Sequence, residues 1–212
     1  NPLFVVESLR MLSEKQSLVV DVDRWSLSTD ELGVPTKIKD IILLRVEKLK
    51  PEQRKILDVA SVIGSKFDPG LLAAVLCKDS LEVQDIRNTI SQVSSLVVCE
   101  GSYYRFDHSK SRDSIYDEIS AGLKKTYHSR IAEKLEKSSK DSPKSQMGDL
   151  AYHYSHSENK DMGIKYSLAA GEQALSFVSG AEAIKHFKYV LDNTKDESNY
   201  VAEREKALEG LG

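Results

Sequence analysis

Residues 96–106, LVVCEGSYYRF, decide the fold. Two short runs rich in β-branched and aromatic residues, LVVC (96–99) and YYRF (103–106), flank the turn sequence Glu100-Gly101-Ser102. Such runs favour extended strands, and a short glycine-containing connection favours a hairpin. The stretch therefore predicts a two-stranded β-hairpin inside a chain whose remaining periodicity is mostly helical.

Apolar residues at helical spacing precede the hairpin. They predict helices at 36–49, 51–63, 69–77 and 81–95, with Pro51 opening the second helix and Gly64 ending it. The last three of these helices, followed by the hairpin, are in the order typical of a winged helix. The N-terminal residues predict a helix at 2–12 and a short extended hairpin at 17–27.

Helical periodicity continues after the hairpin to the end of the chain. It predicts helices near 109–119, 121–137, 146–157, 161–177, 181–194 and 197–211, with short connections that favour antiparallel neighbours. Five residues have the spacing of a 34-residue tetratricopeptide unit: Gly171, Ala174, Ala183, Phe187 and Val190. The expected fold is therefore mainly α, a winged helix followed by an antiparallel, tetratricopeptide-like helical array.

Composition excludes some classes of function. The chain is 40% hydrophobic and 30% charged, with a net charge of -3 and a pI of about 6.0, so nothing global points to nucleic acid or to a membrane. Two isolated cysteines, Cys77 and Cys99, predict small core residues in a reducing compartment. Since the sequence begins at Asn1 without a methionine, we expect a fragment of a longer cytoplasmic protein.

Four segments resemble, in the same order, parts of signal-transducing (STAND/AAA-like) P-loop ATPases. NPLFVVESLRML (1–12) resembles the end of the ATPase lid, and VPTKIKDIILLRVEKLKPEQRKILDVASVIGSKFD (34–68) resembles the linker and first winged-helix segment. YYRFDHSKSRDSIYDEIS (103–120) is similar to the wing and the helix after it, and LAYHYSHSENKDMGIKYSLAAGEQA (150–174) to the repeats. The resemblance implies a lid remnant at 1–35, a winged helix at 36–120 and repeats at 121–212.

The sequence lacks the phosphate-binding motif G-x-x-x-x-G-K-[ST], so we expect no enzymatic activity and no cofactor in this fragment. The resemblance implies that ATP and ADP bind the parent protein, in an upstream nucleotide-binding domain that this chain contacts. It further implies that the repeats bind a protein or small-molecule ligand and that the nucleotide state responds to it.

Two residues have nucleotide contacts implied by the resemblance. Pro2 would pack against adenine, and His108 would reach the β-phosphate of ADP in the intact parent. The residues themselves allow simpler roles, since proline suits the first turn of a helix and His108 could cap the helix after the hairpin. Arg112 could contact phosphate or another domain, or pair with neighbouring acidic residues.

Other functions stay open on the sequence alone. A winged helix can bind DNA through the helix before its wing, but residues 81–95 carry Arg87 against Glu82 and Asp85, a net charge of -1. This argues against a DNA-binding transcriptional regulator. A repeat-type interaction scaffold is the other alternative. Residues 120–145 have a net charge of +4, which suits a solvated face or an acidic partner.

A metal site was the remaining possibility. His153 and His156 lie three residues apart, a spacing that can bind a metal on a helix. Tyr152 and Tyr154 instead favour packing between helices, so the sequence predicts no metal site.

Overall fold

The structure is a computed structural model. It describes residues 2–14, 18–21, 24–27, 37–77, 86, 88–90, 96–138, 146–195 and 198–212. Internal contacts divide the chain into two compact units, Asn1–Lys66 with Arg87–Glu118, and Phe67–Ile86 with Ile119–Gly212. The boundaries at 35/36 and 120/121 stay predictions.

The first unit begins with a helix and a hairpin, both predicted from the sequence. Helix α1 spans Pro2–Glu14, strand β1 Leu18–Asp21 and strand β2 Arg24–Leu27. The two strands pair antiparallel, with Val20 opposite Trp25. Helix α1 packs against β1 and against the next helix along the chain.

Helices α2 (Ile38–Glu47) and α3 (Pro51–Ile63) bury the apolar faces that the sequence predicts. Pro51 starts α3, where its missing N–H costs nothing, and Gln53 accepts the backbone N–H of Lys50 at 2.9 Å. Gly64 ends the helix with φ +152°, a value that favours glycine.

The central hairpin forms as predicted. Strand β4 (Val97–Glu100) pairs antiparallel with β5 (Tyr103–Phe106) around Gly101, whose φ is +66°. A further strand that we did not predict, β3 (Lys66–Phe67), adds to β5 and gives the order β3–β5–β4. A strand of two residues is too short to show the alternation of apolar and polar side chains that predicts strands. It is therefore recognised only by its pairing with β5.

Helices α4 and α5 lie before and after the hairpin in sequence. Helix α4 spans Pro69–Val75, and the side chain of Asp68 caps it by accepting the N–H of Leu71 at 2.8 Å. Helix α5 spans Ser109–Glu118 and packs against α2 and α3. Residues 86 and 88–90 of the predicted helix at 81–95 are helical, and the rest of it lies outside the described residues.

The second unit is a succession of helices. They are α6 (Ala121–Ser138), α7 (Met147–Ser155), α8 (Lys160–Ser176), α9 (Gly180–Thr194) and, after a 3₁₀ turn at Ser198–Tyr200, α10 (Val201–Glu209). Each of these helices packs against the next, and α4 packs against α6. The prediction of a mainly helical protein with a small antiparallel sheet is confirmed.

One core cluster accounts for the repeat-like spacing in the sequence. Ala183, Phe187 and Val190 on α9 are buried against Ile164 and Leu168 of α8, with Ala174 at the edge. The predicted motif positions are therefore core positions. None of the described helices is long and apolar enough to cross a membrane.

Both cysteines contradict the sequence prediction. Cys77 and Cys99 are free thiols and are exposed rather than buried. Cys77 has φ +58° in the turn that ends α4, and Cys99 lies in the exposed part of β4, two residues before Gly101 of the hairpin turn. Their exposure follows from these turn positions and not from residue type.

Candidate functional site

His108 lies between the hairpin and α5 and is exposed. The backbone N–H of Lys110 donates to its Nδ1 at 3.2 Å, and its carbonyl oxygen accepts the N–H of Ser111 at 3.0 Å. His108 therefore caps α5, the simpler of the two roles that the sequence allowed. Because Nδ1 accepts a hydrogen bond, the neutral ring carries its proton on Nε2, which is then a donor.

Arg112 is held inside the first unit. Its Nε donates to the backbone carbonyl of Ser61 at 2.8 Å, and its guanidinium lies 5.1 Å from the ring centroid of Tyr116. Nη1 is 3.4 Å from Asp113, so the expected pairing with a neighbouring acidic residue is present. Ser61 is in the last turn of α3, where carbonyls have no partner within the helix. Arg112 thus stabilises the C-terminal end of α3.

Pro2 is the first residue of α1, as predicted. Its side chain lies outside the described part of the structure, and its contact with adenine stays a prediction.

The charges of the hairpin largely compensate one another. Glu100 Oε2 lies 3.5 Å from Nζ of Lys66 and 3.8 Å from Nε of Arg105. Nζ of Lys66 also lies 4.9 Å from the ring centroid of Tyr103. These surface pairs contribute little energy, yet they give Lys66 of β3 and Arg105 of β5 an anionic neighbour other than phosphate.

A cluster of three histidines lies in the second unit. His128 of α6 and His153 of α7 are buried, and their Nδ1 atoms are 2.9 Å apart. His156 stacks on His128 with ring centroids 5.1 Å apart, and the ring centroid of Tyr152 lies 4.5 Å from that of His156. No sequence pattern connects His128 with His153, because 25 residues separate them. Within the described residues, no group of three His, Cys, Asp or Glu side chains has the arrangement of a metal site.

Glu136 of α6 binds two tyrosines. Tyr154 donates to Oε2 at 2.7 Å, Tyr166 donates to Oε1 at 2.5 Å, and the two rings are parallel with centroids 5.2 Å apart. The hydrogen bond from Tyr166 is the main cause that lowers the pKa of Glu136. Glu136 therefore belongs to the packing between helices rather than to the solvated face of residues 120–145.

A cavity of about 270 Å³ lies between α7, α8 and α9. Tyr152 and His156 line it from α7 and the residue after it, Ser167 from α8, and His186 and Tyr189 from α9. Four of these five side chains are rings. Neither the sequence period nor the motifs pointed to this cavity, because its wall comes from three separate helices.

Comparison with known proteins gives no match, either to a protein-family model or to a curated protein.

Proposed function

We propose that this chain is the non-catalytic regulatory part of a cytoplasmic, multidomain P-loop ATPase of the signal-transducing class. In this proposal, residues around the hairpin contact an upstream nucleotide-binding domain, and the helical array binds a protein or small-molecule ligand. The chain then couples the nucleotide state of the parent to what the array binds, and ATP and ADP belong to the parent alone.

The element order supports a winged helix in this proposal. A helix (α3), a short strand (β3) and a second helix (α4) precede the hairpin of β4 and β5, and β3 adds to the hairpin as a third strand. The pairing and buried core of α8 and α9 likewise support a tetratricopeptide-like repeat.

His108 is the observation that carries the nucleotide part of the proposal. Its Nδ1 is occupied by the cap of α5, so the donor at Nε2 belongs to an exposed ring. A hydrogen bond from this donor to a phosphate oxygen would be charge-assisted and stronger than one between neutral groups. A histidine held by its own helix cap is also oriented before the nucleotide binds.

The proposed switch needs a difference in affinity between two states. ADP, held partly by His108, favours the resting arrangement, and a ligand on the helical array favours the other. By linkage, the array ligand then weakens ADP binding by the same factor by which ADP weakens ligand binding.

The test compares His108→Ala and His108→Asn in the parent protein that contains the upstream domain. Asparagine is a good N-cap, so His108→Asn keeps the cap of α5 and removes only the longer-reaching donor. We expect both variants to bind ADP about tenfold more weakly, the size of one charge-assisted hydrogen bond, and to hydrolyse ATP faster without ligand.

The two variants separate the roles of His108. If His108→Ala weakens ADP binding and His108→Asn does not, the residue acts only as a helix cap. If neither variant changes ADP affinity or hydrolysis, the nucleotide part of the proposal is wrong.

A repeat-type interaction scaffold is the second candidate. The turn between α8 and α9 exposes Phe177 to 74% and Val178 to 92%, an apolar tip that suits a protein partner. Unchanged ADP binding in both His108 variants would favour this candidate. The pairing of Lys66 and Arg105 with Glu100 gives no comparable support to DNA binding.

A further inference from the structure

The cavity between α7, α8 and α9 has the size and walls of a ligand site. An apolar cavity of about 150 Å³ holds benzene, and this one measures about 270 Å³. The rings of Tyr152, His156, His186 and Tyr189 line it and offer flat stacking surfaces. Its volume and walls fit a planar molecule of two fused rings better than a flexible chain.

His156 gives the cavity a defined hydrogen-bonding group. Its Nδ1 is 2.7 Å from the carbonyl oxygen of Tyr152, which can only accept, so Nδ1 carries the proton. Nε2 of the neutral ring is then an acceptor. Ser155 Oγ also lies 3.1 Å from Nδ1, but its hydroxyl donates to the same carbonyl at 2.8 Å, so this helix end favours the Nδ1–H tautomer.

Ser167 is a small, buried residue of the wall. It is 1% exposed, and its Oγ, which exposes less than 1 Å² of surface, has no hydrogen-bond partner among the described residues. Ser167 therefore contributes wall surface rather than a hydrogen-bonding group that a ligand can reach.

His186 lines the cavity from α9. Burial lowers the pKa of His186, against the opposing effect of Glu182, whose Oε2 lies 3.9 Å from Nε2 of His186. The charged residues of the lining, Glu182 and Lys185, are exposed, and so is His156. The lowered pKa favours the neutral ring of His186, which suits a ligand whose body is uncharged.

We propose that this cavity binds a small neutral bicyclic heteroaromatic molecule whose ring N–H donates to Nε2 of His156. The proposal names a ligand class for the sensing role suggested above and rests on that role for its biological meaning. The binding itself needs no nucleotide and no other domain.

The probes are indole, which has a ring N–H, and 1-methylindole, which has none. We would titrate each into the 212-residue chain and follow backbone amide chemical shifts by NMR. A probe of this size in a fitting cavity is expected to bind with a Kd of about 1 mM. Shifts should concentrate on α7, α8 and α9, and 1-methylindole should bind about fivefold more weakly, since it cannot satisfy an acceptor.

Two glycines provide a matched pair of variants. Gly148 lines the cavity in the first turn of α7, and Gly122 lies in the first turn of α6 away from the lining. Within the described part of the chain, and apart from its own helix, neither has an atom within 4 Å of an added Cβ, so both tolerate a side chain. Gly148→Trp should fill the mouth and abolish the indole shifts, whereas Gly122→Trp should leave them unchanged.

The outcomes separate this proposal from the nucleotide proposal. Absence of indole shifts in the wild-type chain at about 5 mM, fivefold above the expected Kd, would overturn the ligand class and leave the His108 experiment untouched. Equal binding by Gly148→Trp, equal binding of the two probes, or shifts spread outside these helices would overturn it as well. Circular dichroism of both variants confirms that each is folded before the titration.

Discussion

Gly171 of α8 lies so close to the ring of Phe187 on α9 that an added Cβ would stand 2.5 Å from its Cε1 atom. Phe187 is 1% exposed and cannot turn away without opening the core. Alanine is the better helix former by about 1 kcal/mol, but overpacking a rigid core costs about 1–3 kcal/mol. We expect Gly171→Ala to lower the free energy of unfolding, measured by urea denaturation.

Gly122 is the matched control for this prediction. It also lies within a helix, but an added Cβ there meets nothing within 4 Å. Gly122→Ala should therefore keep the gain in helix propensity and stabilise the protein by up to about 1 kcal/mol. Stabilisation by Gly171→Ala as well would show that the two helices can separate without cost.

Arg112 provides the second prediction. Arg112→Lys keeps the positive charge but removes Nε, which donates to the carbonyl of Ser61 at 2.8 Å. Ser61 is fully buried, so a weakened bond leaves a buried acceptor at the end of α3. We expect a loss of about 1–3 kcal/mol in the free energy of unfolding, again measured in urea.

Arg105→Lys is the matched control for Arg112. Arg105 is an exposed arginine of the hairpin whose pair with Glu100 is long, at 3.8 Å. Its replacement should change stability by less than about 0.5 kcal/mol. Equal losses in both lysine variants would mean that the bond from Arg112 to Ser61 contributes nothing specific.

The third prediction concerns acid stability. Hydrogen bonds from Tyr166 and then Tyr154 lower the pKa of Glu136 below its ordinary 4.5. A lowered pKa contributes stability above pH 4.5 that is lost as the pH falls through the lower value of the folded state. Glu136→Gln should remove this loss of stability at acid pH. At neutral pH the substitution should itself lower the free energy of unfolding by about 1 kcal/mol, since the half-buried carboxylate is partly screened by solvent.

The same cluster of Glu136, Tyr154 and Tyr166 predicts that the protein loses stability at alkaline pH. Burial, followed by the bond to Glu136, raises the pKa of Tyr166 to about 12. A raised pKa contributes stability below the ordinary value of 10.0 that is lost as the pH rises towards 12. Urea denaturation of Glu136→Gln and Glu133→Gln across the pH range checks both limits. Equal profiles for the two variants would contradict this assignment, because Glu133 lies on the exposed face of α6.

Local patterns predicted the elements well, and packing between distant segments explains what they missed. Helix starts such as Pro51 and the hairpin around Gly101 depend on neighbouring residues, and the sequence shows them directly. Strand β3 exists only because β5 lies beside it. The exposure of Cys77 depends on a turn whose geometry no periodicity reveals.

The sequence likewise predicted only part of the candidate site. The sequence identified His108 and the possibility that it caps a helix, because both depend on its place just before a helical run. No sequence pattern predicted the cavity, since Tyr152, Ser167 and His186 come from three helices and only the packing of these helices brings them together.

His128 and His153 provide the fourth prediction. Their Nδ1 atoms are 2.9 Å apart in a buried environment, so one ring must donate and the other accept. If both rings were protonated, the bond would be lost and two like charges would be buried together.

We therefore expect the free energy of unfolding to fall as the pH drops below about 6.5, the ordinary pKa of histidine, because unfolding then takes up protons. His153→Gln keeps a hydrogen-bonding group without the titration, so its stability should fall less steeply between about pH 7 and pH 5. A residual slope should persist, since burial also lowers the pKa of His186. Urea denaturation at several pH values measures these slopes, with the exposed His108→Asn as control. If the free energy of unfolding of His153→Gln has the same slope against pH as that of the wild type, the buried pair accommodates a second proton at no cost. The arrangement with one proton between the two Nδ1 atoms would then be wrong.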